Sequence, residues 1–135
     1  MRVLFWFCDS FKTLPTIQTL PDAPDPAPLH RLRAVVAFVH IEPPDVDGGS
    51  GAETKLVKNA KWLARKWSVT EIVLHSFTHL GEAKATPEAA FKLLTGAAER
   101  LRKAGYEASL TPYGYFNDLE LRAPGHPLAR IYKEF

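Results

Sequence analysis

The chain has 135 residues, 46% hydrophobic and 24% charged, with a formal net charge of +2. This is the size of one domain, long enough to bury a core without disulfide or metal staples. No apolar run approaches the ~20 residues of a membrane helix, and the charge is too small to demand a nucleic-acid partner.

Cys8 is the only cysteine. It excludes an intrachain disulfide and a cysteine-based zinc cluster, and a reducing cytoplasm is the simple inference. The apolar opening, Met1 to Phe7, has only Arg2 as a leading charge, soon meets Asp9 and lacks a small-residue cleavage site. It reads as a strand, not a signal peptide. Lys55, Lys58, Lys61, Arg65 and Lys66 follow one segment, and Arg100, Arg102 and Lys103 another. These are solvated helix faces or a weak phosphate-contacting surface.

Val3 to Phe7 reads as a buried strand. A stretch without periodicity follows, with Pro21, Pro24, Pro26 and Pro28 marking a surface loop. Arg33 to Ile41 is a second strand, closed by Glu42-Pro43-Pro44, and Gly48 to Gly51 is a flexible connection. Ser50 and Glu53 have the spacing of a capping box before a helix that runs to about Trp67. Leu56, Ala60, Leu63 and Trp67 form its buried stripe.

Glu71 to Phe77 is the next strand. Thr86 is the predicted N-cap of a second helix, with Pro87 at its first position and Glu88 favourable to the dipole. Ala90, Leu94, Ala97 and Leu101 face the core, and Gly105 ends the helix. Tyr106 to Thr111 and Tyr115 to Arg122 read as strands on either side of Pro112-Tyr113-Gly114. Gly125-His126-Pro127 breaks the chain before a short terminal segment. The pattern implies one sheet system with both helices on one face.

Chemistry is expected where Ser76-Phe77-Thr78-His79-Leu80 leaves its strand, because ligand sites in open α/β sheets lie at the carboxyl ends of strands. His75 and His79 are i, i+4, a spacing that joins two ligands on one metal only in a helix. Here the pattern is strand, so no metal site is expected. No glycine-flanked elbow surrounds Ser76. Tyr113, Tyr115 and Phe116 crowd a turn around Gly114; this is either hairpin packing or a platform for a planar ligand such as a nucleobase.

Taken together, Phe77-Thr78-His79-Leu80, Pro112-Tyr113-Gly114-Tyr115-Phe116 and Gly125-His126-Pro127-Leu128-Ala129 resemble, in order and spacing, the archaeal-type threonyl-tRNA synthetase editing domain. The resemblance covers nearly the whole chain. It implies an α/β/β layered domain of the D-aminoacyl-tRNA deacylase type, with a mixed sheet and two helices on one face. It further implies a homodimer, no cofactor, and a partner in the 3′ acceptor end of threonine tRNA carrying serine. Serine differs from threonine by one methyl, worth about 1–3 kcal/mol, which is too little for fidelity without a second, editing site. The chain has no recognisable ATP-binding or aminoacylation motif, so no ligase activity is expected of this segment alone. Either a freestanding protein or a piece of a longer synthetase fits.

Carried over position by position, the resemblance puts His79 and Asn117 at the reacting end. It puts Ile41, Thr78, Tyr113, Tyr115, Phe116 and Arg130 around the substrate. Asn117 stands where the family commonly has lysine, and Arg130 where it commonly has glutamate. The resemblance therefore points to backbone groups and the tRNA 2′-hydroxyl as the source of catalysis. Two other readings stand beside it. Ser76-Phe77-Thr78 also looks like a relaxed D-aminoacyl-tRNA deacylase signature. Loss of the lysine and glutamate is compatible with a non-catalytic tRNA-binding module.

Overall fold

The computed structural model describes all 135 residues. Its strands are β1 (Arg2–Gln18), β2 (Leu29–His40), β3 (Glu71–Ser76), β4 (Glu107–Leu110), β5 (Tyr115–Arg122) and β6 (Arg130–Glu134). Its helices are α1 (Ala52–Trp67) and α2 (Pro87–Lys103). The strands make one mixed sheet in the order β4-β3-β2-β1-β5, with β6 also on β1. β2, β3 and β4 are parallel; β1 runs antiparallel to β2, β5 and β6.

β1 is far longer than the Val3 to Phe7 run that alternation reveals. Val3 and Phe5 pack toward the helices, while Leu4, Trp6 and Cys8 join a second apolar cluster on the other face. Beyond Cys8 the phase changes: Phe11, an odd-numbered residue, belongs to the cluster that took even-numbered ones before. β2 does the same, with Ala34, Val36 and Phe38 in that cluster followed down the strand by Leu29. Between them Arg33 adopts a left-handed φ of +48°, uncommon for a residue with a side chain. The pairing register holds across this point, Cys8 to Ala34 and Ser10 to Leu32. The ladder is therefore continuous but bent, and the distal halves of β1 and β2 curl with β5 into the second β layer. A strand whose alternation switches phase has no single period to detect. That is why residues after Phe7 read as irregular and the expected loop shrinks to residues 19–28.

Both helices cover one face, as the sequence pattern implied. α1 buries Leu56, Ala60 and Leu63, and Trp67 stacks flat on Phe7 at 3.9 Å between centroids. The expected capping box does not form. Gly51 is the N-cap, and Ser50 Oγ accepts the Ala52 N–H at 3.2 Å. Glu53 instead meets Arg100 of α2 at 2.9 Å, so its carboxylate joins the two helices. The short turn Pro43–Val46 holds the nearest equivalent: Glu42 N–H donates to Asp45 at 2.7 Å, and the Met1 ammonium reaches the same carboxylate at 2.7 Å. α2 begins as expected, with Thr86 Oγ1 accepting the Ala89 N–H at 3.3 Å. It ends at Ala104, with Gly105 just beyond at φ +92°.

Two further corrections concern the carboxyl-terminal third. β4 and β5 are not a hairpin, because β3, β2 and β1 lie between them. The link Thr111 to Gly114 joins opposite edges of the sheet, which the curl brings together. The short terminal segment, to which the sequence pattern assigns no element, is a strand after its 3-10 turn: β6 pairs with β1 from Arg2–Glu134 to Trp6–Arg130.

The second cluster has a polar margin. His75, 7% exposed, packs on Phe38 at 4.9 Å, and its Nδ1 is 2.8 Å from Thr111 Oγ1 at the end of β4. Burial pushes the imidazole down from the ordinary 6.5 to about 4.

Two outcomes follow from this packing. Phe11 is fully buried, so Phe11→Ala should destabilise the fold by about 3–5 kcal/mol in denaturant unfolding; a silent substitution would mean this stretch is a loop. For His75, the unfolded chain takes up a proton near pH 6.5 while the folded one resists until about pH 4. Its contribution should therefore lower stability as pH falls through that window, by up to about 3 kcal/mol, and stay constant above it. His75→Gln, which does not titrate, should flatten that part of the stability–pH curve; an unchanged curve would show that His75 is not the buried titrating group.

Candidate active site at the strand ends

The parallel strands β2, β3 and β4 end side by side, and a cleft of about 690 Å³ opens there. Ile41 follows β2 directly, buried at 3% exposure, and forms an aliphatic wall. Phe77 N–H donates to Val39 O at 2.9 Å, which carries the β2–β3 pairing one residue past β3. Thr78 and His79 then leave the sheet exposed at the rim, with the His79 ring edge-on to Phe77 at 5.1 Å. His75 and Thr111 lie deeper in the lining. The imidazole is held neutral by burial, so its hydrogen bond to Thr111 is between uncharged groups.

The aromatic wall is built from the link between β4 and β5. Tyr113 donates its hydroxyl to Pro87 O at 2.6 Å and packs on Phe91 at 4.7 Å. Burial, with Glu88 nearby, raises its pKa, so it stays a phenol. Gly114 has φ +83°, and a Cβ there would stand 2.7 Å from that of Ala23. Only glycine allows both, and the Gly114 carbonyl accepts the Thr19 N–H at 2.7 Å. The proline-rich loop is thus drawn against the turn, so that Thr19 and Leu20 also line the cleft. Tyr115 adds a hydrogen bond to Pro24 O at 3.0 Å. Phe116 is 59% exposed at the mouth.

Asn117 Nδ2 faces two carbonyls, Pro112 O at 3.4 Å and Tyr115 O at 3.2 Å. That fixes the amide orientation and leaves Oδ1 buried with no partner. An unpartnered buried acceptor costs free energy.

Of the residues singled out in the sequence, Ile41, Thr78, His79, Tyr113, Tyr115, Phe116 and Asn117 come together in this cleft. Arg130 does not line it. Its guanidinium lies over the Trp6 ring at 5.8 Å and donates to Pro124 O at 3.1 Å. The preceding Gly125 to Ala129 segment packs on the end of α1, where Trp67 Nε1 donates to Leu128 O at 2.9 Å and His126 meets the Trp67 ring at 5.0 Å. In the other direction, two residues at the cleft had no role assigned from the sequence, Lys84 and His40. Lys84 lines the cleft within an otherwise unremarked loop. His40 is fully buried beneath it, with Nε2 2.7 Å from Ala83 O and Nδ1 accepting the Leu80 N–H at 3.2 Å. Neither carries a periodic or spacing signal.

No carboxylate lines the cleft, and Lys84 is its only lysine or arginine. The lining is apolar and aromatic with a few polar atoms, the usual composition of a small-ligand site. No helix is long and apolar enough to cross a membrane.

Comparison with known proteins agrees with this architecture. The threonine–tRNA ligase of Thermococcus kodakarensis is 33% identical over 102 residues, which is 75% of this chain and 16% of that protein. That of Methanosphaerula palustris is 26% identical over 135 residues, 98% of this chain and 22% of that protein. The chain thus spans only about a fifth or less of the length of these relatives. Among solved structures, the c-Myc DNA unwinding element binding protein superposes over 100% of this chain and 99% of its own, with a TM-score of 0.69. At 12% identity that likeness concerns the fold alone. Residues 1–135 in full match the archaea-specific editing domain of threonyl-tRNA synthetase, and the chain belongs to that family.

Proposed function

We propose that the cleft receives the 3′-terminal adenosine of threonine tRNA carrying serine and hydrolyses the serine ester, as the proofreading step of a threonyl-tRNA synthetase. The observation that carries this reading is the convergence of three separate chain segments, Ile41, Ser76 to His79 and Thr111 to Asn117, on one cleft at the strand ends. Tyr113, Tyr115 and Phe116 offer ring faces for a nucleobase. Ile41 narrows the space for a side chain, which favours serine over the bulkier threonine. Asn117 adds an uncharged amide to the lining.

In the reaction, water adds to the ester carbonyl and the bond between the acyl carbon and the ribose oxygen breaks. The proton lost by water passes to that oxygen, giving serine and free tRNA. Within the lining the protein supplies few groups able to move this proton. Asn117 does not titrate and Arg130 lies elsewhere. His75 remains neutral and engaged with Thr111. That leaves His79 and Lys84 at the rim and the ribose 2′-hydroxyl beside the ester. We assign the larger share to the RNA hydroxyl, with backbone groups near Thr78 and the Asn117 amide orienting the water. The partner is then tRNA, and the longer relatives make the remainder of a threonyl-tRNA synthetase a second one.

We also propose a homodimer. Leu14 and Leu32 are 52% and 63% exposed. They project from the same face of the curled part of the sheet, since Leu32 pairs with Ser10, four residues from Leu14.

The assay is release of amino acid from L-seryl, L-threonyl and D-aminoacyl tRNA. L-serine should be released in preference to L-threonine; release of D-amino acids alone would identify a D-aminoacyl-tRNA deacylase, and no release a binding module. A seryl tRNA ending in 2′-deoxyadenosine should be hardly hydrolysed, while His79→Ala should cost much less than the roughly 100-fold of a positioned acid–base group. Fast hydrolysis of the deoxy substrate with an inactive His79→Ala variant would make His79 the base. Light scattering at micromolar concentration should give twice the chain mass of 15.1 kDa; a monomer would count against the dimer.

A further inference from the structure

The cleft has a single full charge. Of the twenty residues that line it, Lys84 alone is lysine, arginine or a carboxylic acid. Lys84 is exposed and in no ion pair. Its backbone, by contrast, is held on both sides. Ala83 O is bound by the fully buried His40 at 2.7 Å, and Ala85 N–H donates to Ile41 O at 2.9 Å. Upstream, the same His40 ring accepts the Leu80 N–H, and Arg2 Nη1 donates to Leu80 O at 3.0 Å. His40 accepts at Nδ1 and donates at Nε2, so one imidazole holds both ends of the Leu80 to Ala83 loop. A flexible ammonium is thus mounted on a fixed base at the rim of an otherwise uncharged cleft.

We propose that Lys84 is the phosphate-contacting residue of this cleft, binding the phosphate on the 5′ side of the terminal nucleotide. The proposal rests on the reading of the cleft as an aminoacyl-nucleotide site. The ligand so read is an aromatic base, a ribose ester and one nearby phosphate. The aromatic wall, Asn117 and Ile41 offer contacts to the first two, and no other lining side chain can neutralise the third. A compact ammonium on a long stem suits a phosphate at variable distance. The rim position suits a group that stays outside the cleft while the ester enters.

The experiment uses two non-hydrolysable probes, 3′-serylamino-3′-deoxyadenosine and its 5′-monophosphate, titrated by calorimetry at low salt. The wild-type protein should bind the phosphorylated probe roughly tenfold more tightly. In Lys84→Gln that preference should collapse toward unity, and Lys84→Arg should keep most of it. Lys58→Gln, a charge change on the exposed face of α1, should leave the preference intact, which separates a specific contact from general attraction. The salt dependence of binding to the phosphorylated probe should weaken by about one ion in Lys84→Gln. Equal binding of both probes by the wild-type protein, or a preference that survives in Lys84→Gln, overturns the Lys84 assignment alone. Binding of neither probe overturns the nucleotide reading of the cleft and the assignment with it.

Discussion

The bend in the β1–β2 ladder at Arg33 is the constraint on which the rest of the structure depends. A flat sheet in this strand order would hold β4 and β5 at opposite edges, with their connecting link stretched across three strands. Instead, a left-handed residue in β2 turns both strands while hydrogen bonding stays in register. The distal half folds over, burying Phe11 and Leu29 with Cys8, Val36 and Phe38. The same curl brings Tyr115 opposite Gln18 and lets Thr111 to Gly114 close the cleft from the side. Conformational strain at one exposed arginine is thus offset by a second apolar cluster, and the cleft is a by-product of that exchange. Arg33 is not left idle by its geometry: its guanidinium sits 5.4 Å from the Phe7 ring centroid.

Two buried histidines show how the fold keeps the cleft electrically quiet. His40 and His75 lie under 8% exposed on neighbouring strands, and each spends a ring nitrogen on a short hydrogen bond within the protein. His40 holds the loop that carries the rim; His75 ties β3 to the end of β4. Neither has a carboxylate partner among its hydrogen bonds, and for His75 burial without one disfavours the charged form. For His75 the result is a proton affinity far below the ordinary one. On the reading proposed above, a lining without carboxylates gives an ester substrate hydrogen bonds without placing a negative charge beside the carbonyl. It also leaves little to move protons with, which is why the reading of the chemistry leans on the substrate's own hydroxyl.

Much of this was legible in the sequence where one local rule dominated. α2 announced itself through Thr86, Pro87 and the Ala90–Leu94–Ala97–Leu101 stripe, and all of these hold. β5 ran over Tyr115 to Arg122 as read. The failures share a physical origin: a tertiary arrangement overrode a local signal. β1 lost its alternation at the bend. Ser50 and Glu53 had capping-box spacing, but Arg100 of the other helix took Glu53. Pro112-Tyr113-Gly114 left a hairpin open as one of two readings, because the strands that separate β4 from β5 come much earlier in the chain. At the cleft, the Ser76 to His79 and Thr111 to Asn117 segments lie side by side, whereas the Gly125 to Ala129 motif and Arg130 lie elsewhere. Lys84, Thr19 and Leu20 were missed because their place depends on the His40 and Gly114 contacts, which no spacing encodes.

The Gly125 to Ala129 segment shows the limits of reasoning from a motif to a site. It was among the features that pointed most directly to the family, yet its contacts are with the end of α1. Trp67 spends one ring face on Phe7 and its N–H on Leu128 O, and takes His126 against its edge. His126 in turn accepts the Leu128 N–H at 3.0 Å, so the histidine and proline shape a tight 3-10 turn that starts β6. These are reasons of architecture for His126, Pro127 and Leu128: they seat the last strand on β1 and close the helical layer over it. Arg130 comes directly after them and is directed by the same strand onto Trp6, opposite which it pairs. A basic residue there is therefore compatible with the fold. Asn117 differs in kind, because it lines the cleft itself.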